Sequence, residues 1–300
     1  MSKFMSLSEA VRTYVSHGDL LYASGFTHLI PFAVSHEIIR QGIKELVLAR
    51  ATPDLIYDQM VAAGCARKII FSYMGNPGVG SLRRVREAIE SGRLDWEEYS
   101  HFSMISRLQA GASGLPFMPM KRTGALDLAK ENLNFKTVKD PYTDEDVVVV
   151  PPLTPDVAIV HVQRADQKGN AHVWGILGEQ RLSAFASQRV ILTAEEIVDE
   201  SVIRSDPNRT LIPGLVVDAV CRVPYCAHPS YTQGYHDRDN EFYLAWDDLS
   251  KTEQSVQAYL DEWVFGVPDR AAYWEKLGPE VHQRLTAGQR MSQPVNYGAY

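Results

Sequence analysis

Apolar runs in this chain stop at glycine loops, and helix patterns follow them. The clearest case begins at Lys68. Lys68 to Tyr73 is largely apolar, a loop with Gly75, Gly78 and Gly80 comes next, and a helix pattern carrying Arg83 and Arg84 follows. The same order occurs upstream. Asp19 to Tyr22 reads as a strand, Ser24-Gly25-Phe26-Thr27-His28-Leu29-Ile30-Pro31 as a loop, and the residues beyond Pro31 as a helix. Glycine lets the main chain approach a ligand closely, and a helix N-terminus attracts anions. Two such crossings point to a ligand held over the strand ends of a parallel sheet. The plainer alternative is a pair of ordinary strand-to-helix turns, which use glycine anyway.

The rest of the chain repeats the pattern. Ser6 and Glu9 form a capping box ahead of Leu7, Ala10, Val11, Tyr14 and Val15, which share one helical face. Ala33 to Gln41 reads as a helix and Glu45 to Ala49 as a buried strand. Pro53-Asp54 opens a helix that Gly64 closes, and Leu82 to Ser91 is the helix after the second loop. Further strands are expected at 147–150, 156–162, 189–193 and 215–223, with a hairpin-like turn at Asp166-Gln167-Lys168-Gly169-Asn170. Thr252 to Phe265 and Ala271 to Leu277 have helical amphipathicity. The fold class this order predicts is α/β, an open and mostly parallel sheet with helices on both faces. One domain over 1–300 is expected, with a polar excursion or flap around 120–146 and a polar C-terminal tail at 288–300.

Composition narrows the function. The net charge is −7 with both signs mixed along the chain, so nothing argues for a nucleic-acid partner. No apolar run is long enough to span a bilayer, and the N-terminal residues have no signal-peptide core. Three cysteines do not make a disulfide framework, and a cytoplasmic location is expected.

Several clusters have an ordinary explanation beside a chemical one. Cys221, Cys226 and His228 are close in sequence but lack an evident fourth ligand, so no metal is expected. His161 and His172 flank the Gly169-Asn170 turn, where a structural pair facing across a hairpin explains them. Glu97 and Glu98 lie near His101, an arrangement suited to acid–base work or to a solvated strand end. The Gly75–Gly80 spacing matches neither a dinucleotide fingerprint nor a P-loop.

Taken in order, the motifs resemble the first (alpha) subunit of the family I coenzyme A-transferases, in the glutaconate and 3-oxoadipate branch. The resemblance rests on Gly25-Phe26-Thr27-His28-Leu29-Ile30-Pro31, Thr52-Pro53-Asp54-Leu55, Gly64-Cys65-Ala66-Arg67-Lys68 and Asn76-Pro77-Gly78-Val79-Gly80-Ser81. It continues through Ala110-Gly111-Ala112-Ser113-Gly114-Leu115-Pro116-Phe117 and Asp156-Val157-Ala158-Ile159-Val160-His161. It ends with Glu195-Glu196-Ile197, His228-Pro229-Ser230 and Asp237-Arg238-Asp239-Asn240. It spans nearly the whole chain.

The resemblance implies an open α/β sheet and a two-subunit enzyme that uses coenzyme A esters as substrates, with no permanently bound cofactor. The nucleophilic glutamate belongs to the second (beta) subunit, in a Ser-Glu-Asn-Gly-type segment. This sequence has no counterpart: Glu90-Ser91-Gly92 and Glu262 fall on helices, and Gly178-Glu179 is in the wrong order. No catalytic nucleophile is therefore expected here. Gly25, Phe26, Thr27, Asn76, Gly78, Gly80 and Ser81 become the candidates for holding substrate or an oxyanion. Arg83, Arg84, Glu98 and His101 are further candidates, and the two arginines read equally well as a solvated helix face. The implied reaction moves CoA from a donor such as succinyl-CoA to a small dicarboxylic acid, 3-oxoadipate-like or glutaconate-like. The chain is also similar to the thioester-dependent ring-opening hydrolases of steroid catabolism. That resemblance implies a functional glutamate near the place where this chain has His101. A non-catalytic CoA-ester-binding subunit is the third possibility.

Overall fold

The computed structural model describes residues 3–75, 80–120, 128 and 131–287. Asn76 and Gly78, most of the strip from 121 to 130, and the tail at 288–300 lie outside the described residues.

The chain opens with α1 (Leu7–Tyr14), where the Ser6 side chain accepts the Glu9 N–H as the capping box requires. Then come β1 (Leu20–Ala23), α2 (Phe32–Arg40), β2 (Leu46–Ala49), α3 (Asp54–Ala62), β3 (Ala66–Phe71), α4 (Arg83–Glu90), β4 (Asp95–Glu98) and α5 (His101–Ala112). Three short strands follow, β5 (Met118–Met120), β6 (Lys136–Lys139) and β7 (Asp146–Val150), which form a separate antiparallel sheet in the order β5-β7-β6. This sheet occupies part of the region read as a polar excursion. The main sheet resumes at β8 (Val157–Ala165) and β9 (Ala171–His172). It continues past α6 (Gln180–Ala186) into β10 (Arg189–Ile197), past α7 (Glu200–Arg204) into β11 (Thr210–Ile212), and ends at β12 (Ala219–Arg222). Helices α8 (Asn240–Leu249), α9 (Glu253–Leu260), α10 (Arg270–Leu277) and α11 (Pro279–Arg284) close the described part, with a π-turn at Asp261–Phe265 after α9.

Seven parallel strands run β12-β10-β8-β1-β2-β3-β4, and β9 and β11 add an antiparallel flank at the far end of β8. Strand pleating sends alternate side chains to opposite faces. Leu21, Leu48, Ile69 and Ile159 face a core shared with α1 to α4, α8 and α9. Tyr22, Val47 and Ile70 face the other side, against Met104 and Leu108 of α5. Both faces are covered, which is why β2 is buried at every position and reads as a continuous apolar run.

Two expectations change. The strand read at 215–223 begins only at Ala219. Gly214–Val216 is a 3-10 turn that leaves Leu215 82% exposed, and the Asp218 side chain caps the Val190 N–H instead. His161 and His172 do not face each other. His172 sits opposite Arg164, while His161 turns to Glu195 at 3.1 Å in the buried interior. The hairpin register leaves them far apart on β8 and β9, and each finds its own partner; that of His172 is the Ile203 carbonyl. No helix among the described residues is long and apolar enough to cross a membrane.

Candidate active site

Strand order changes direction at the centre of the sheet. From β1 the chain steps outward through β2, β3 and β4, then returns to place β8 on the other flank of β1. Loops leave such a switch point in opposite directions and open a crevice at the C-terminal strand ends. A cavity of about 440 Å³ lies at these ends. Its walls are Phe26 and Thr27 after β1, Arg50, Thr52 and Asp54 after β2, Tyr73 after β3, and His101 after β4. Tyr231 and Arg238, from the segment between β12 and α8, complete it.

The loop after β1 is held in an unusual conformation. Gly25, Thr27 and Leu29 have φ of 104°, 55° and 57°. A side chain at Gly25 would put its Cβ 2.6 Å from the His28 carbonyl oxygen, so glycine is required there on two counts. Positive φ at Thr27 and Leu29 is strain that surrounding contacts must hold in place. Ser24 N–H and its hydroxyl both donate to the Ile159 carbonyl, at 3.0 and 2.9 Å. Ser230 Oγ donates to the Thr27 carbonyl at 2.7 Å, and Leu29 N–H donates to the Tyr231 carbonyl at 2.9 Å. His28 Nε2 accepts the Gln233 N–H at 3.0 Å, so Nδ1 carries the proton that it shares with the Ile176 carbonyl at 2.9 Å. Burial pushes the His28 imidazole down to about 4, which keeps it neutral in that tautomer.

Arg50 binds this loop to the next. Its guanidinium donates to the carbonyls of Ala23, Ser24 and Gly25 at 2.8, 3.1 and 2.6 Å, and to Thr52 at 2.5 Å. Arg50 is 1% exposed. Its charge is answered at longer range by Glu179, a buried carboxyl that desolvation pushes upward and Arg50 pulls back. Asp54, at the first turn of α3, accepts the Leu55 N–H at 2.7 Å and the Tyr243 hydroxyl at 3.0 Å. Burial outweighs those bonds and raises its carboxyl. Two guanidiniums against one carboxyl leave the cavity wall positive on balance, a field that favours an anionic ligand.

The sequence candidates separate. Phe26, Thr27 and His101 meet in the cavity, with Gly25 behind Phe26; His101 Nε2 and Thr52 Oγ1 lie 3.1 Å apart. Gly80 and Ser81 stand at the entry to α4, against Asp247. Arg83 pairs with Asp247 at 2.9 Å, and Arg84 is held by Glu87 and the Lys251 carbonyl. Neither arginine lines the central cavity. Arg84 belongs to a different hollow beside Arg93 and Glu253 on the helical layer. Glu98 lines an adjoining hollow of about 400 Å³ that shares Tyr73 with the main one. Glu97 is occupied by Lys68, the Tyr99 hydroxyl at 2.9 Å and Arg107 at 3.6 Å, an ion-pair network at the strand edge. Among the described residues, no group of three or more His, Cys, Asp and Glu is placed to hold a metal ion.

Sequence reasoning singled out the glycine loops and missed their supports. Arg50, Tyr231 and Arg238 are cavity residues that it did not choose. For Arg50 a signal was present, because it is a cation placed at the end of a buried apolar strand, in Leu46-Val47-Leu48-Ala49-Arg50. Such a charge needs a reason. Arg238 comes from a segment far along the chain, and its approach to the cavity depends on tertiary packing.

Residues 4–222 match the family described as Coenzyme A transferase. Over 280 residues the chain is 47% identical to the first subunit of the 3-oxoadipate CoA-transferase of Pseudomonas knackmussii, covering 92% of this chain and 99% of that one. Over 296 residues it is 38% identical to the first subunit of the glutaconate CoA-transferase of Acidaminococcus fermentans, covering 93% and 92%. The crystal structure of glutaconate coenzyme A-transferase from Acidaminococcus fermentans matches with a TM-score of 0.92 at 34% identity, over 98% of this chain and 99% of that chain. The chain therefore belongs to the coenzyme A transferase family, and both of these sequence relatives are the first subunits of their enzymes.

Proposed function

We propose that this chain is the first subunit of a heteromeric CoA-transferase that moves CoA from a donor such as succinyl-CoA to a small dicarboxylic acid of the 3-oxoadipate or glutaconate type. The observation that carries the reading is the cavity over the C-terminal ends of β1 to β4. It presents a strained glycine loop, two guanidiniums and no glutamate among its described lining residues. Its carboxyl, Asp54, is buried and committed to the Leu55 N–H and the Tyr243 hydroxyl, which leaves it poorly placed to attack a thioester.

In this reading the nucleophile comes from a partner, the second or beta subunit. Its glutamate carboxylate adds to the thioester carbonyl and expels the CoA thiolate, leaving a mixed acid anhydride. The thiolate then adds to the glutamyl carbonyl and expels the first acid, and CoA remains on the enzyme as a glutamyl thioester. The acceptor carboxylate repeats the two steps in reverse. Every addition places negative charge on a carbonyl oxygen, and a preorganised donor there is worth about 10²–10³ in rate. The loop from Gly25 to Thr27 is our candidate for supplying main-chain donors, with Asn76, Gly78, Gly80 and Ser81 as the second loop. The site is expected to exclude water from the anhydride, since hydrolysis would discard the thioester. Cys65, Cys221 and Cys226 are free thiols, in keeping with a cytoplasmic location.

Reconstitution tests the reading. The purified chain alone should transfer no CoA, and the same chain assembled with a second, beta-type subunit should transfer it from succinyl-CoA to 3-oxoadipate or glutaconate. Rapid thioester loss by the complex without any acceptor acid would instead favour a hydrolase. Binding of CoA esters with neither reaction would favour a non-catalytic subunit.

A further inference from the structure

The cavity contains two arginines in different situations. Arg50 is sealed, with its guanidinium committed to four main-chain carbonyls. Arg238 is half-buried on the opposite segment. Its guanidinium lies 3.8 Å from the centre of the Tyr243 ring, and Nη1 donates to Asn240 Oδ1 at 3.0 Å. Its Nε is buried and has no hydrogen-bond partner. Among the described residues Arg238 forms no ion pair, although Arg284 and Asp239 beside it are paired at 2.9 Å. A stacked guanidinium has a fixed plane and an edge that suits a carboxylate bidentately. The nearby acid, Asp54, is bound to Tyr243 beneath the stack rather than to the guanidinium.

We propose that Arg238 is the specificity-determining residue that holds the second, non-reacting carboxylate of a dicarboxylic acid, through the edge of a guanidinium stacked on Tyr243. This rests on the transferase reading and names the group that selects its acid. Arg83 and Arg84, the arginines singled out in the sequence, do not line the cavity, whereas Arg238 does. Arg50, with its donors filled, shapes the loop instead. Thr27, Thr52 and His101 stand on the other walls.

The test compares adipate with hexanoate, acids of equal length that differ in the distal carboxylate. Calorimetry on the assembled complex measures their binding without relying on turnover. Wild type should bind adipate more tightly than hexanoate. Arg238→Gln should lose about 10- to 100-fold in adipate affinity, the span expected when a charged hydrogen bond is removed, with hexanoate binding and the melting temperature little changed. Arg238→Lys should recover only part of the loss, because a point charge cannot reproduce the fork. Equal loss for both acids, or an undiminished preference for adipate in Arg238→Gln, would overturn the proposal. CoA transfer is read separately. A complex that binds adipate through Arg238 but transfers no CoA retains this inference and loses the functional reading.

Discussion

The Arg50 guanidinium donates to the Gly25 carbonyl at 2.6 Å, and the two residues lie just past the ends of adjacent parallel strands. This bond ties the loop after β1 to the loop after β2. Arg50→Met should strand buried carbonyls and leave Glu179 without its counter-charge. Removing one partner of a buried charge arrangement costs about 3–5 kcal/mol. Chemical denaturation should show a loss of that order, and Arg50→Lys should recover little of it. An Arg50→Met chain of wild-type stability would remove Arg50 as the organiser of the loop.

Gly25 is required by both φ and space. Gly25→Ala should strain the loop by about 1–3 kcal/mol or more and displace Phe26 and Thr27 from the cavity wall. In the assembled complex the transfer rate should fall by at least about tenfold, with the sheet intact by circular dichroism. Wild-type rates in Gly25→Ala would take this loop out of the reacting site.

Arg83 should be dispensable for chemistry. Its pair with Asp247 is partly exposed, and neither residue lines the cavity. Arg83→Ala should leave transfer within about twofold of wild type, as expected for a surface ion pair. A large fall in rate with assembly unchanged would return Arg83 to the site.

The pH dependence of stability has a sign that His28 sets in part. Its folded-state value, about 4, lies below the roughly 6.5 of an unfolded histidine. As pH falls through 6.5 the unfolded chain takes up a proton that folded His28 refuses until about 4. Its contribution to stability therefore declines over that window and levels off below it. His36, His228 and His236 are lowered by burial in the same direction. Asp58, pushed up to about 6, works against them. Comparing wild type with His28→Gln isolates one residue. The stability lost between about pH 7.5 and about pH 5 should be smaller in the variant. An identical loss in both would show that His28 is not held neutral.

Local rules carried much of the fold into the sequence. Ser6 caps α1 as the capping-box pattern predicts, and the apolar run at β2 is buried on both faces as its composition implies. Misreadings came where a short apolar string had two outcomes. Leu215-Val216-Val217 has strand composition, but Gly214 packs against the Lys168 carbonyl and turns the chain there. The half of the site built from β1 was legible because its glycine announces a special backbone. The half built from Arg238 and Tyr231 was not, because nothing local to either residue reports that α8 and its leading segment fold back over the strand ends.

In the proposed enzyme this chain shapes the acid site while the covalent step takes place on its partner. Borohydride reduction of the assembled complex during incubation with succinyl-CoA tests it directly, because it converts a glutamyl thioester into a stable alcohol at the residue that carried it. Peptide mass spectrometry of both subunits should find the reduced residue on a glutamate of the second subunit and every glutamate of this chain unmodified. Reduction at any glutamate of this chain would contradict that assignment.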